Sequence, residues 1–123
     1  MYLLFAEESG LHIRGGQLSN KETNVMNLIM ISISEAGHTP FRNNVGAYKH
    51  PDGRYIRFGV GGKGGSDIIG ITSTGRFFAI EVKTKKGRAS KEQLNYIDHV
   101  QKMGGLAGIA RSPQEALDIL NNN

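Results

Sequence analysis

Between residues 66 and 111 the chain runs SDIIGIT, STG, RFFAIEVKT, a stretch of helical length, then LAGIAR. Two apolar runs joined by a short turn predict an antiparallel hairpin. A third run, reached through a helix, is set to lie parallel to the second by a right-handed crossover. The class is therefore α/β: a small mixed central sheet flanked by helices. The second run carries a further constraint. It ends in Glu81 and Lys83, a carboxylate and an ammonium in a segment otherwise apolar enough to be buried. Charges in such a place need partners.

The remaining pattern supplies the helices. Ser19 and Glu22 fit a capping box, and Glu22, Met26, Ile29 and Ile33 fall on one helical face before Gly37, so a helix is expected over about 20–36. Its apolar middle suits packing on a sheet. Residues 38–55 read as polar and turn-rich, with a turn at Pro51-Asp52-Gly53. A strand is expected near 54–59, and GGKGG at 61–65 reads as a flexible or tightly turning loop. Ser90 and Gln93 form a second capping box, followed by Leu94, Ile97 and Val100 as an apolar face and Gly104-Gly105 as a stop. Ser112, Pro113 and Glu115 open a terminal helix running to about Leu120, with a frayed tail. Residues 2–5 read as a short strand or helix start, and 6–18 as loop.

With 123 residues, the chain suits one domain spanning 1–123. Hydrophobic content of 38% and charged content of 21% exclude a disordered class. The absence of cysteine removes disulfides, thiolate zinc sites and thiol nucleophiles. The N-terminal MYLLF lacks a basic flank and the length of a secretory signal, and no stretch approaches a membrane span, so a cytoplasmic location and no membrane partner are expected. The net charge of +4 and pI of about 9.5 fit a polyanionic partner.

Period two places Phe77, Ala79, Glu81 and Lys83 on one face of the strand and Phe78, Ile80 and Val82 on the other. In a hairpin turning near 73–75, paired positions sum to about 148 with one residue of slack, so Asp67 falls opposite Glu81. Two neighbouring carboxylates repel unless something positive joins them. A divalent cation would serve, and so would Lys83 alone. Magnesium takes oxygen ligands and keeps several waters. Asp67, Glu81 and the backbone carbonyl of Val82 would suffice as the protein's share. Lys83 on the same face could orient a water or stabilise charge developing on a phosphoryl group.

Taken together, GGKGGSDIIG, RFFAIEVKTKKGRASKEQ and MGGLAGIARS closely resemble the VRR-NUC family of the PD-(D/E)XK nuclease superfamily. The likeness covers about 20–120, and a chain of this size resembles stand-alone, phage-type members. Ser66-Asp67 stands for the family's Pro-Asp element and Glu81-Val82-Lys83 for its Glu-x-Lys element. Gln93 matches its helical glutamine, Glu22 its acidic residue on the first helix, and FRNNVG at 41–46 its Arg-Asn-x-x-Gly stretch. The one departure is Ser66, where proline would only stiffen the start of the strand. The resemblance implies a restriction-endonuclease-like core and a Mg2+- or Mn2+-dependent endodeoxyribonuclease with no small-molecule cofactor. It also implies a homodimer acting on branched DNA such as the four-way (Holliday) junction. Asp67, Glu81, Lys83, Gln93 and Glu22 would be catalytic, with Asp67, Glu81, the Val82 carbonyl and Glu22 as metal ligands.

Around this set, Arg42 and Asn43 would contact phosphate or fix a loop. Lys85, Lys86, Arg88 and Lys91 would form a rim for nucleic acid, or simply be solvated charges. Gln93 and Glu22 have a second reading as capping residues. Tyr96 would face the cleft or pack beneath it. His12, His38, His50 and His99 lack metal spacing and read as non-catalytic. Leu28, Met30 and Ile31 extend the apolar face of the first helix and suggest a subunit contact. The alternatives are an inactive nucleic-acid-binding module of the same fold, an RNA-processing nuclease, or an oligomerisation subunit.

Overall fold

The structure, a computed structural model, describes residues 21–122. The expectations for 2–5, 6–18 and the Ser19 cap lie outside the described residues. Helix α1 (Lys21–Glu35) is followed by strands β1 (Thr39–Arg42), β2 (Gly46–Lys49) and β3 (Tyr55–Phe58) and a 3-10 turn over Gly62–Gly64. Then come β4 (Ile68–Ile71), β5 (Phe77–Val82), α2 (Lys91–Lys102), β6 (Leu106–Ala110) and α3 (Pro113–Leu120). Gly37, at φ 95°, supplies the left-handed residue that turns the chain out of α1.

The main sheet has the order β1-β4-β5-β6, and β2 with β3 forms a separate two-stranded ribbon. β4 is antiparallel to both β1 and β5, whereas β5 and β6 are parallel. Ile68 pairs with Ile80 and Ile71 with Phe77, the register that the hairpin arithmetic predicts. The sheet is mixed and has helices on both faces. α1 and α3 bury Ile29, Met30, Ile33, Ala116 and Leu120 against Ile68, Phe78, Ile80, Val82 and Ala110. α2 lays Ile97 and Val100 on Ala79 and Ala107. Each large side chain buried this way stabilises the fold by roughly 1.5–3 kcal/mol. The buried face of β5 fixes its opposite parity, and therefore the direction in which Glu81 points.

Three expectations are corrected. The turn-rich segment after α1 contains β1 and β2, which were not expected as strands. Pro40 sits buried in β1, and an edge strand tolerates proline because half of its N–H groups face away from the sheet. β2 is ordered by its ladder to β3, around a turn in which the His50 N–H donates to the Arg54 carbonyl and the Asp52 carboxylate accepts from Arg54. Met30 is 1% exposed and belongs to the core, because α3 packs beside α1 and widens the buried arc; Leu28 stays 55% exposed. Leu94 lies outside the core at 50% exposure, whereas Ile97 and Val100 are buried against the sheet. Among the described residues no helix is long and apolar enough to cross a membrane.

Candidate active site

The β4–β5 ladder ends at Ile68–Ile80, and Asp67 lies one step beyond it. A continued ladder would offer the Ser66 carbonyl to the Val82 N–H. That carbonyl instead accepts from Asn43 Nδ2 at 2.9 Å, and the Val82 N–H donates to Asp67 Oδ2 at 3.0 Å. The Asp67 carbonyl accepts from the Asn43 N–H at 2.7 Å, so Asp67 is held by main chain and side chain together. On the far side of β5, the Lys83 N–H donates to the Ala110 carbonyl at 3.1 Å. A strand residue's N–H and C=O leave on one side, so the Val82 carbonyl leaves on the Asp67 side.

Glu81 is 2% exposed. Its Oε2 accepts from Gln93 Nε2 at 2.8 Å and lies 3.5 Å from Lys83 Nζ. Its Oε1 is buried with no hydrogen-bond partner among the described residues. Burial raises the Glu81 pKa from 4.5 to about 8. The negative charge of Asp67 and a proton shared with it add to the shift, and Lys83 offsets only part. An unpartnered buried carboxylate oxygen beside a second carboxylate fits a hard divalent cation. Among the described residues no group of three or more His, Cys, Asp or Glu side chains comes together, so the side-chain donors here are a carboxylate pair.

Gln93 combines its two expected roles. Its Oε1 accepts from the Ser90 N–H at 2.8 Å while Ser90 Oγ accepts from the Gln93 N–H at 3.1 Å, a complete capping box. Its remaining amide N–H reaches Glu81. The glycine loop makes this approach possible. A Cβ on Gly64 would stand 2.2 Å from the Glu92 carbonyl oxygen, so only glycine lets the loop touch the first turn of α2. Tyr96 packs under the same loop, where a Cβ on Gly61 would strike its ring. Ser66, in place of the family's proline, is 1% exposed, and its hydroxyl has no partner among the described residues.

The other expected residues divide. Glu22 lies half-buried on the first turn of α1 and is not gathered with Asp67 and Glu81 into a three-carboxylate group. Arg42 is exposed at the end of β1, paired across the sheet with Ile68. Asn43 spends its whole side chain on the loop: Nδ2 donates to the Val60 and Ser66 carbonyls and Oδ1 accepts from the Val60 N–H. These bonds support the loop-fixing reading. Lys85, Lys86 and Arg88 line a shallow cavity of about 390 Å³ with Gly87 and Arg111, and Lys91 is exposed at the start of α2. His38 accepts from the Ser73 N–H, and His50 lies beside Asp52.

Sequence reasoning missed Arg111. Its guanidinium donates to the carbonyls of Thr84 and Gly87 and so shapes the basic loop. The parallel register, Val82 opposite Ala110, sets Arg111 level with Lys83 and would have pointed to it.

A mixed sheet presenting an Asp and a Glu-x-Lys from adjacent strand ends, with a helical glutamine behind them, defines a nuclease core of the PD-(D/E)XK type. The VRR-NUC domain model matches residues 22–114, and the chain belongs to that family. No curated protein and no solved structure matches it significantly. The family is one of divalent-metal-dependent nucleases that act on nucleic acid.

Proposed function

We propose that this chain is an endonuclease hydrolysing DNA phosphodiester bonds with Mg2+ or Mn2+, selective for branched DNA and working as a homodimer inside the cell. The buried, unpartnered Oε1 of Glu81, in a carboxyl group coupled to the charge of Asp67, carries this reading. Asp67, Glu81 and the Val82 carbonyl would hold the ion. When bound, the ion supplies positive charge at the phosphoryl group and eases deprotonation of water.

The chain's own residues do the rest. Gln93 fixes Glu81 Oε2 and leaves Oε1 for the ion. Lys83, only 15% exposed, keeps its ammonium beside Glu81. There it orients the attacking water and stabilises charge building on the phosphoryl oxygens. Lys85, Lys86, Arg88 and Lys91 hold the sugar–phosphate backbone without reading bases. Two symmetric cuts in a four-way junction require two related sites, which a two-fold dimer provides.

The test is cleavage of linear, flap, nicked and four-way DNA, with matched RNA, in Mg2+ or Mn2+, beside Lys83→Ala. Metal-dependent cutting of branched DNA, absent in the variant, is expected. Cleavage that survives Lys83→Ala or needs no metal would overturn the site. Preference for RNA would overturn the substrate.

A further inference from the structure

The β2–β3 ribbon has no place in the carboxylate site, yet it grows directly out of it. β2 follows Asn43 by a short link, and β3 leads through Val60 and the glycine loop to Asp67. The Asn43 side chain ties the Val60 backbone to the Ser66 carbonyl. Ribbon and Asp67 are thus braced at a common base.

The ribbon is two-faced. Ala47 pairs with Arg57 and Lys49 with Tyr55, alternating with Gly46–Phe58 and Tyr48–Ile56. Alternation puts Lys49, Tyr55 and Arg57 on one face. All three are exposed, Tyr55 at 72%. The segment from 42 to 66 holds Arg42, Lys49, Arg54, Arg57 and Lys63 against Asp52 alone. Asp52 is engaged by Arg54 and His50 in the turn, and neither Lys49 nor Arg57 has an ion-pair partner among the described residues. Two diagonal cations flanking a tyrosine, with no carboxylate to balance them, form a surface for an anion of similar spacing. Four residues per strand give a ribbon roughly 13 Å long. The major groove, about 12 Å wide, admits a two-stranded ribbon.

We propose that the Lys49–Tyr55–Arg57 face of the ribbon is a second DNA contact, seated along duplex flanking the cut and gripping its phosphates. This rests on the nuclease reading and extends it. Charge complementarity favours duplex over a second copy of the chain, whose ribbon would bring the same cations. The face adds affinity and places the duplex relative to Asp67, without choosing bases.

The test measures binding of a labelled 30-base-pair duplex by the full chain, without divalent metal, across a salt series. Lys49→Gln/Arg57→Gln is compared with the parent and with Lys49→Arg/Arg57→Lys. Removing two phosphate-binding charges should lower the slope of log affinity against log salt by roughly 1.8, and weaken binding at 0.1 M salt by one to two orders of magnitude. The charge-conserving variant should match the parent. Each single glutamine should lower the slope by about 0.9, which keeps the test open if the double variant misfolds. A parent that binds, with a glutamine variant of unchanged slope, overturns the ribbon contact and spares the nuclease. A glutamine variant that falls from dimer to monomer by light scattering, its slope unchanged, reassigns the ribbon to the interface between copies. A parent that neither binds nor cuts any DNA overturns the nuclease reading itself.

Discussion

Replacing Glu81 by glutamine removes an ionisable group that burial, and then Asp67, hold at a pKa of about 8 instead of 4.5. Between those values the folded state binds a proton that the unfolded state has released. Stability therefore falls as pH rises: the contribution is whole below about 4.5 and gone above about 8. At 1.36 kcal/mol per unit the ceiling is about 5 kcal/mol, and relaxation with water entry reduces it to roughly 2–4 kcal/mol. The smaller figure still moves a urea midpoint by about 1 M for a chain of this size. Glutamine is close in shape to the protonated acid and can donate toward Asp67, so it keeps the low-pH packing at every pH. Urea unfolding in chelator, followed by circular dichroism at pH 5, 6, 7 and 8, is the assay. The parent midpoint should decline across that range and the Glu81→Gln midpoint should not. Saturating Mn2+ should restore the parent at pH 8, because a ligand of the folded state stabilises it, and should do little for the variant. Parallel declines in parent and variant would refute the reasoning, since Glu81 would then ionise normally in the fold.

Other consequences are open to direct measurement. Lys83→Ala should lose cleavage by at least about a hundredfold yet bind Mn2+ in calorimetric titration, because an ammonium is not a ligand; lost metal binding with an intact fold would contradict its assigned task. Asn43→Ala removes side-chain bonds of 2.7, 2.9 and 2.9 Å and should cost roughly 2–3 kcal/mol in denaturant unfolding. It should also weaken Mn2+ affinity while leaving the salt dependence of DNA binding unchanged, and a changed salt slope would return Asn43 to the phosphate-contact role. Alanine at Lys85, Lys86 and Arg88 together should lower that slope by about 0.9 for each phosphate no longer neutralised; a constant slope would place the DNA elsewhere.

What the sequence disclosed was local or periodic. The caps of α2 and α3, Ser90 with Gln93 and Ser112 with Glu115, follow from bonds three residues apart. The Ile68–Ile80 register follows from alternation on either side of one turn. Contacts set by packing were not legible. Asn43 reaches partners 17 and 23 residues away, and Arg111 reaches 27 and 24. β1 is a strand because β4 lies beside it, a tertiary pairing that outweighs the poor strand propensity of Pro40. Gln93 stands between the two cases. Its cap is written in its neighbours, whereas its reach to Glu81 depends on Gly64 letting the loop touch α2.

The site arises where the β4–β5 ladder is interrupted. Glu81 is drawn inward by the strand parity that buries Phe78, Ile80 and Val82 on the opposite face. Asp67 is drawn toward it because Asn43 has taken the Ser66 carbonyl, leaving the Val82 N–H to be satisfied by a carboxylate oxygen. A buried N–H must be paired, so the fold itself holds two carboxyls at a separation they would not choose in water. Gln93 and Lys83 both engage Glu81 Oε2, and Lys83 offsets only part of that repulsion. What is left unsatisfied is Oε1, a buried carboxyl oxygen beside a second carboxyl group. The backbone accounting that ends a strand pair and the pairing of two carboxyl groups are thus settled by the same few atoms. A change that returned the Ser66 carbonyl to Val82 would lengthen the ladder, release Asp67 and lower the Glu81 pKa. It would also disperse the site while leaving the core under β5 in place.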